Sequence, residues 1–335
     1  MTEATRISTF EKTVIGFVGV CAVAAMVAAL RYPPASVTQS PQAEFRLEDP
    51  AFETASGAAS ALIRGAKPGG APLLTVSTLD RTFAQLGYDL DRLRDGDGLV
   101  PRHFVAAMPS DMRAIRVPAK RKALFIKTVL PLILQANDEI RADRARLERI
   151  LGHKGDLPAV DRLWLAAKAE VYEVKRTDLK GLQARMDVIP ASLAIAQAAE
   201  ETGWGTSRFV LEGNALFGQW TFSRNSHMVP RKRAAGRKHQ VQAFPSLIEA
   251  VRAYMENLNT HRAYRDFRAL RSAQRAKSQP LHGLELATTL TSYSERGEKY
   301  VETIQGLIRF NRLQALDGAR LGVATASRRP AEPAI

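Results

Sequence analysis

Between residues 190 and 205 the chain reads Pro-Ala-Ser-Leu-Ala-Ile-Ala-Gln-Ala-Ala-Glu-Glu-Thr-Gly-Trp-Gly, a run that leaves the backbone little choice. Pro190 suits the entry to a helix, the alanine- and leucine-rich run from Ala191 to Ala199 favours helix, and Gly203 suits the left-handed residue after its end. Glu201 therefore falls at a helix C-terminus, near the negative end of the helix dipole, where exclusion of water raises a carboxyl pKa. A carboxyl that keeps its proton near neutral pH can act as a general acid. On a helical wheel Glu201 shares a face with Ala194 and Ala198, whereas Glu200 is turned by about 100°. Taken alone, a Glu at a helix end is more often simply solvated.

A second run follows closely, Gly213-Asn214-Ala215-Leu216-Phe217-Gly218-Gln219-Trp220. Trp204, Phe217 and Trp220 would offer flat apolar walls of the kind on which sugar rings stack, and Asn214 and Gln219 would offer amides for hydroxyl or acetamido groups. The combination points to glycoside cleavage. Together the two runs resemble the signature of the bacterial glucosaminidase-type peptidoglycan hydrolases. The wider context is similar to their Bax branch, through Val100-Pro101-Arg102, Leu130-Pro131-Leu132-Ile133-Leu134-Gln135-Ala136-Asn137, Tyr254-Met255-Glu256-Asn257-Leu258-Asn259-Thr260-His261 and Tyr293-Ser294-Glu295-Arg296-Gly297.

That resemblance implies a lysozyme-like α+β domain, mostly helical, acting on the β-1,4 bond after N-acetylglucosamine in the glycan strands of peptidoglycan. Glu201 matches the family's catalytic Glu, the residue before Thr-Gly-Trp-Gly, and Glu200 is the decoy. Tyr293 resembles a family tyrosine that would bond the acetamido group or stabilise developing positive charge; a tyrosine packed in a helix crossing is the equal alternative. A lytic transglycosylase and a wall-binding scaffold without turnover remain the rival readings.

The second lobe carries a mechanistic clue, because Gly213 to Ile248 contains no Asp or Glu. A second carboxylate would have to sit about 6.5 to 9.5 Å from the acid in an inverting glycosidase, or about 5 to 5.5 Å in a retaining one. Glu212, Glu249, Glu256, Glu295 and Glu298 are the remaining candidates. The alternative is attack by the substrate's own acetamido oxygen. Arg231 and Arg233, in the basic centre of this lobe, would hold carboxylates of stem peptides or lactyl groups.

Residues 13–30 carry no charge and as a helix would span about 27 Å, roughly the hydrocarbon core of a bilayer. The run exceeds the usual apolar core of a cleaved signal, so an uncleaved anchor in the inner membrane is expected, with residues 1–12 in the cytoplasm and the bulk in the periplasm. Residues 31–76, rich in Pro, Ala, Ser and Gly, read as a flexible linker. The expected catalytic domain is 77–315, with its core at about 180–315, and 316–335 is the expected disordered tail. The single cysteine, Cys21, lies in the apolar run, so no intrachain disulfide forms.

A formal net charge of +14 suits a polyanionic partner. With no zinc-finger spacing, RNA-binding signature or convincing helix-turn-helix, nucleic acid is not the expected one. The six histidines are scattered without an H-E-x-x-H pattern, so neither metal nor cofactor is expected. Helical periodicity marks 78–93, 120–151 with Pro131 bending or breaking it, 157–175, 247–258 and 282–309 with a break at Arg296-Gly297. Extended pieces at 219–222 and 239–244 flank the basic centre and should pair as a hairpin. The last helices should close the site from the far side and bring Tyr293 toward Glu201.

Overall fold

A computed structural model of the chain describes residues 74–221, 227–228 and 240–323. The candidate anchor at 13–30, nearly all of the linker, Arg231 and Arg233 lie outside the described residues. Among the described residues no helix is long and apolar enough to cross a membrane.

The domain is mostly helical with little strand. Helices α1 (Val76–Gln85) and α2 (Leu90–Arg94) precede a one-turn 3-10 helix (Met112–Ala114), the long α3 (Pro118–Leu151), α4 (Ala159–Val171), α5 (Leu179–Arg185), α6 (Ala191–Thr202) and α7 (Arg208–Gly213). Three short strands follow, β1 (Trp220–Thr221), β2 (His227–Met228) and β3 (Gln240–Gln242). The described chain closes with α8 (Leu247–Thr260), α9 (Arg265–Ala276), α10 (Gly283–Leu286) and α11 (Glu298–Phe310), with 3-10 turns at Arg262–Tyr264, Ala287–Thr289 and Leu313–Leu316.

The expected hairpin pairs antiparallel, Trp220 opposite Val241 and Thr221 opposite Gln240. It is extended to three strands in the order β1-β3-β2, because β2 joins the other edge of β3.

Helix α6 is the hub. Every residue from Ala191 to Ala199 is buried, and the helix packs on α3, α10, α11 and the Leu313–Leu316 turn. Its alanines let these neighbours approach closely, while Leu193 and Ile195 each add about 1.5–3 kcal/mol through full burial. The far half of α3 carries a second cluster with α4 and α5, where Leu147, Ile150, Leu165, Tyr172, Leu182 and Met186 meet.

Four expectations need correction. Residues 78–93 form two helices, parted where Gly87 takes a φ of +60°. Helix α3 runs through Pro131 without a break; the proline costs about 3 kcal/mol in a helix interior, and burial of Val129, Leu130, Leu132, Ile133 and Leu134 around it offsets that. Residues 282–309 break before Glu298 as expected, but the part before the break is only the one-turn α10 and a 3-10 turn rather than a full helix. Finally, residues 316–323 are part of the domain and not tail. Leu316 is fully buried, and Leu321 forms a parallel bridge with Val100.

Asp317 shows why that last segment is ordered. Pro190 sits at the N-cap of α6 and has no side-chain acceptor to offer. Asp317 takes over the cap, accepting from the Ser192 backbone N–H at 2.7 Å and from its hydroxyl at 2.8 Å. Burial pushes the Asp317 carboxyl up to about 6. Removing a cap costs about 0.5–2 kcal/mol, so Asp317→Ala should lower the urea midpoint by that equivalent. An unchanged midpoint would show that α6 does not depend on it.

Candidate active site

The sequence after Glu201 ends the helix sharply. Gly203, Trp204 and Gly205 take φ values of 57°, 60° and 80°, three consecutive residues in the left-handed region. The Trp204 N–H donates to the Ala199 carbonyl at 3.0 Å, and Gly205 N–H to the Thr202 hydroxyl at 2.9 Å. A left-handed conformation costs a non-glycine residue roughly 1–2 kcal/mol. Trp204 is held there by an edge-on contact with Phe125 at 5.7 Å and by Lys122, whose ammonium lies 5.0 Å from its ring centroid. The Gly-Trp-Gly run is thus the turn that stops α6 one residue after the carboxylate and pins it to α3.

Glu201 is half-buried at this end. Burial raises its carboxyl above the usual range; a hydrogen bond from Tyr300 opposes the rise, Glu200 reinforces it and Arg296 opposes it. The Tyr300 hydroxyl donates to Oε1 at 3.2 Å. The other oxygen, Oε2, faces Gly218: a Cβ at that glycine would stand 3.1 Å from it, and Gly218 has a φ of +59°. Glu200 turns away and pairs with Arg296 at 2.7 Å, as the wheel requires.

No second carboxylate bears on Glu201 among the described residues except this neutralised neighbour. Glu249 pairs with Arg252, Glu212 with Arg208, and Glu256 feels Glu173. No group of three or more His, Cys, Asp or Glu side chains is placed to hold a metal among the described residues.

The loop after α7 delivers Gly218. Asn214, with a φ of 52°, caps α7 and donates from its amide to the Phe244 carbonyl at 3.1 Å, tying the loop to the exit of β3. The Phe217 ring lies flat against Tyr254 with centroids 3.8 Å apart and is 2% exposed. Phe217 is therefore committed to packing and is not an open wall for a sugar, whereas Trp204 stays partly exposed. Gln219 keeps a buried side-chain oxygen with no hydrogen-bond partner among the described residues. Trp220 contributes its backbone to β1.

Tyr293 does come to this place. Its hydroxyl donates to the Phe217 carbonyl at 3.2 Å, and its ring stacks on Tyr300 at 5.3 Å. The tyrosine that touches Glu201 is nevertheless Tyr300, seven residues on, which periodicity alone assigns to the core of α11. Behind it lies Gln197, one turn before Glu201. Gln197 donates to the Tyr300 hydroxyl at 3.0 Å and accepts from Tyr254 at 2.6 Å. Arg296 completes the group, its guanidinium 5.3 Å from the Tyr300 ring centroid.

Comparison with known proteins agrees with the geometry. A family described as mannosyl-glycoprotein endo-beta-N-acetylglucosaminidase, the glucosaminidase family, matches residues 177–313. That span holds Glu201, Gly218, Tyr293 and Tyr300. Protein bax of Escherichia coli (strain K12) is 33% identical over 196 residues, which cover 57% of this chain and 69% of the relative. No solved structure matches. The chain belongs to the Bax-like glucosaminidase-domain family, and the domain built around Glu201 is of the glycosidase type.

Proposed function

We propose that this domain, lysozyme-like in architecture, is a peptidoglycan hydrolase that cleaves the β-1,4 bond after N-acetylglucosamine, with Glu201 as general acid. The observation that carries the reading is a single half-buried carboxyl, raised by burial, with one oxygen held by Tyr300 and the other facing a glycine. Glu201 gives its proton to the glycosidic oxygen as the bond from that oxygen to C1 breaks. The acetamido oxygen of the same sugar attacks C1, since among the described residues the one carboxylate that bears on the acid is Glu200, which is paired with Arg296. Water then adds at C1, releasing the acetamido group, and its proton returns to Glu201. Tyr293, whose hydroxyl proton goes to the Phe217 carbonyl, accepts from the acetamido N–H, and Gln219 orients the hydroxyls.

The test is to incubate the full chain with purified peptidoglycan, reduce the products with borohydride and identify the ends by mass spectrometry. Reducible N-acetylglucosamine ends are expected. Ends of 1,6-anhydro-muramic type would make it a transglycosylase, and no release with retained binding would leave a scaffold.

Gly218→Ala should lose about 1–2 kcal/mol of stability and be slow. A side chain there is strained by the positive φ and crowds Oε2, so the carboxylate must shift. Small misplacements of a catalytic group cost roughly tenfold or more in rate. Parent-like kcat in this variant would remove Oε2 from the chemistry.

Two parts of the reading concern residues outside the described ones. Arg231 and Arg233 would attract wall carboxylates through charge-assisted bonds, so reversing both to Glu should weaken co-sedimentation with wall sacculi; unchanged sedimentation would sink this. Residues 13–30 would hold the chain in the inner membrane with the domain in the periplasm. Alkaline carbonate extraction checks it, because an anchored chain stays with the membrane pellet.

A further inference from the structure

Three side chains behind the candidate acid are joined to it in a line that has a direction. Tyr254 is fully buried, and Gln197 is its hydrogen-bond partner. A tyrosine hydroxyl has one proton to give, and here it goes to Gln197 Oε1 at 2.6 Å. With its oxygen used in this way, the Gln197 amide presents N–H to Tyr300, 3.0 Å away. The Tyr300 oxygen is then an acceptor, so its own proton points onward to Glu201 Oε1 at 3.2 Å.

Turning the Gln197 amide around would reverse every link. The Tyr254 proton would face N–H groups and lose its acceptor inside the core, at the full cost of an unsatisfied buried donor. Tyr300 would spend its proton on Gln197 and could only accept from Glu201. In that arrangement a neutral Glu201 would hold its proton on Oε1, turned inward and away from any substrate.

We propose that Tyr254, Gln197 and Tyr300 form a one-way hydrogen-bond chain that keeps Glu201 Oε1 an acceptor and so places the acid proton on Oε2, the oxygen beside Gly218. Gln197 and Tyr300 are then positioning residues, acting through the orientation of the acid. The inference rests on the hydrolase reading for its consequence but not for its geometry. The same arrangement serves both halves of a turnover, because Tyr300 donates to Oε1 whether Glu201 is neutral or ionised. It also accounts for two buried polar groups, Gln197 and Tyr254, that packing alone would replace with leucine and phenylalanine.

Other groups around Glu201 do not compete for this role. Glu200 and Arg296 act on it only through their charges, as a mutually paired couple, and Tyr293 and Tyr264 feel its charge. Tyr293 is committed to the Phe217 carbonyl, and Gly218 brings no side chain.

The test is a titration of the Glu201 carboxyl carbon by 13C NMR in the full chain, assigned by its absence in Glu201→Gln, alongside kinetics on peptidoglycan. Tyr300→Phe removes the donor to the ionised form, so the midpoint should move upward. Gln197→Met should move it in the same direction by less, because a Tyr300 hydroxyl with nothing donating to it is a weaker donor. The double variant Gln197→Met/Tyr254→Phe leaves no orphan hydroxyl at Tyr254 and should behave as Gln197→Met does, which protects the test against misfolding of the single variant. In each, kcat should fall by about tenfold with KM unchanged.

Unmoved midpoints in Tyr300→Phe and in both Gln197 variants would overturn the proposal. Should the parent cleave nothing while the midpoints shift, the proton placement stands and the hydrolase reading falls. Should the parent cleave and the variants match it in midpoint and kcat, the hydrolase reading stands and the chain is structural.

Discussion

Glu201→Gln is expected to lower hydrolysis by roughly 10²- to 10⁴-fold, the range for loss of a general acid, and to leave the domain at neutral pH at least as stable as the parent. The second half of that expectation follows from linkage. Burial raises the Glu201 carboxyl in the folded state, so the native protein holds this proton more tightly than the unfolded chain does. The resulting stabilisation is complete below the unfolded pKa of about 4.3 and is lost as pH rises through the raised folded value. Above that value the ionised carboxylate weighs against the fold, and a neutral amide at the same place does not. Thermal melts of both proteins from about pH 4 to pH 8 should therefore diverge as pH rises, the variant melting higher. A variant that melts lower at neutral pH, or keeps parent-like turnover, would remove Glu201 from the acid role.

Arg271→Ala is expected to cost about 3–5 kcal/mol, the range for breaking a buried charge network by removing one partner. Arg271 is fully buried. Its guanidinium donates to the carbonyls of Ala184, Arg185, Asp187 and Val188 and to the Asn259 side chain at distances from 2.7 to 3.3 Å. Burial pulls its pKa down to about 10, which leaves it charged at neutral pH. Asp187 is held ionised beside it by Arg275 at 2.9 Å and by Arg271 itself, so its carboxyl lies below the usual range despite burial. These contacts fasten the end of α5 and the strand-like passage into α6 onto α8 and α9. The melting temperature should fall by roughly 6–20 °C, at about 2–4 °C per kcal/mol for a domain of this size. Arg271→Lys should rescue little, because an ammonium lacks the planar fork that reaches four carbonyls at once. A melting temperature within a few degrees of the parent would show that the network is dispensable.

Neither Arg271 nor α9 is legible from apolar periodicity. The inward face of α9 is Phe267, Arg268, Arg271 and Gln274, a row at helical spacing made mostly of polar residues. Such a row reads as solvated until the carbonyls that receive it are in place. The same blindness affects the site. Tyr300 sits on the buried face of α11 and reads as core, which it is; what its hydroxyl meets is a carboxylate 99 residues earlier. Phe217 suggests an open wall because its chemistry suits sugars, but Tyr254 already occupies its ring. The weakly patterned segment from residue 316 reads as tail, although Asp317 caps a helix 125 residues away.

By itself the sequence determined the helix from Ala191, its stop at Gly203, the carboxylate at its end, the turning of Glu200 off the face of Glu201 and the pairing of extended pieces in the small lobe. Those features are local: propensity, capping and a 3.6-residue period act within a few turns of chain. Only the tertiary structure decided which tyrosine holds Glu201, which of its oxygens lies beside Gly218, that Glu200 is paired with Arg296, that Phe217 is spent on packing, and that a buried arginine fastens the entry to α6. Each of these depends on hydrogen bonds and ring contacts between residues tens to about a hundred positions apart, and burial decides their strength because a polar group shut away from water must find its partner wherever the fold brings one.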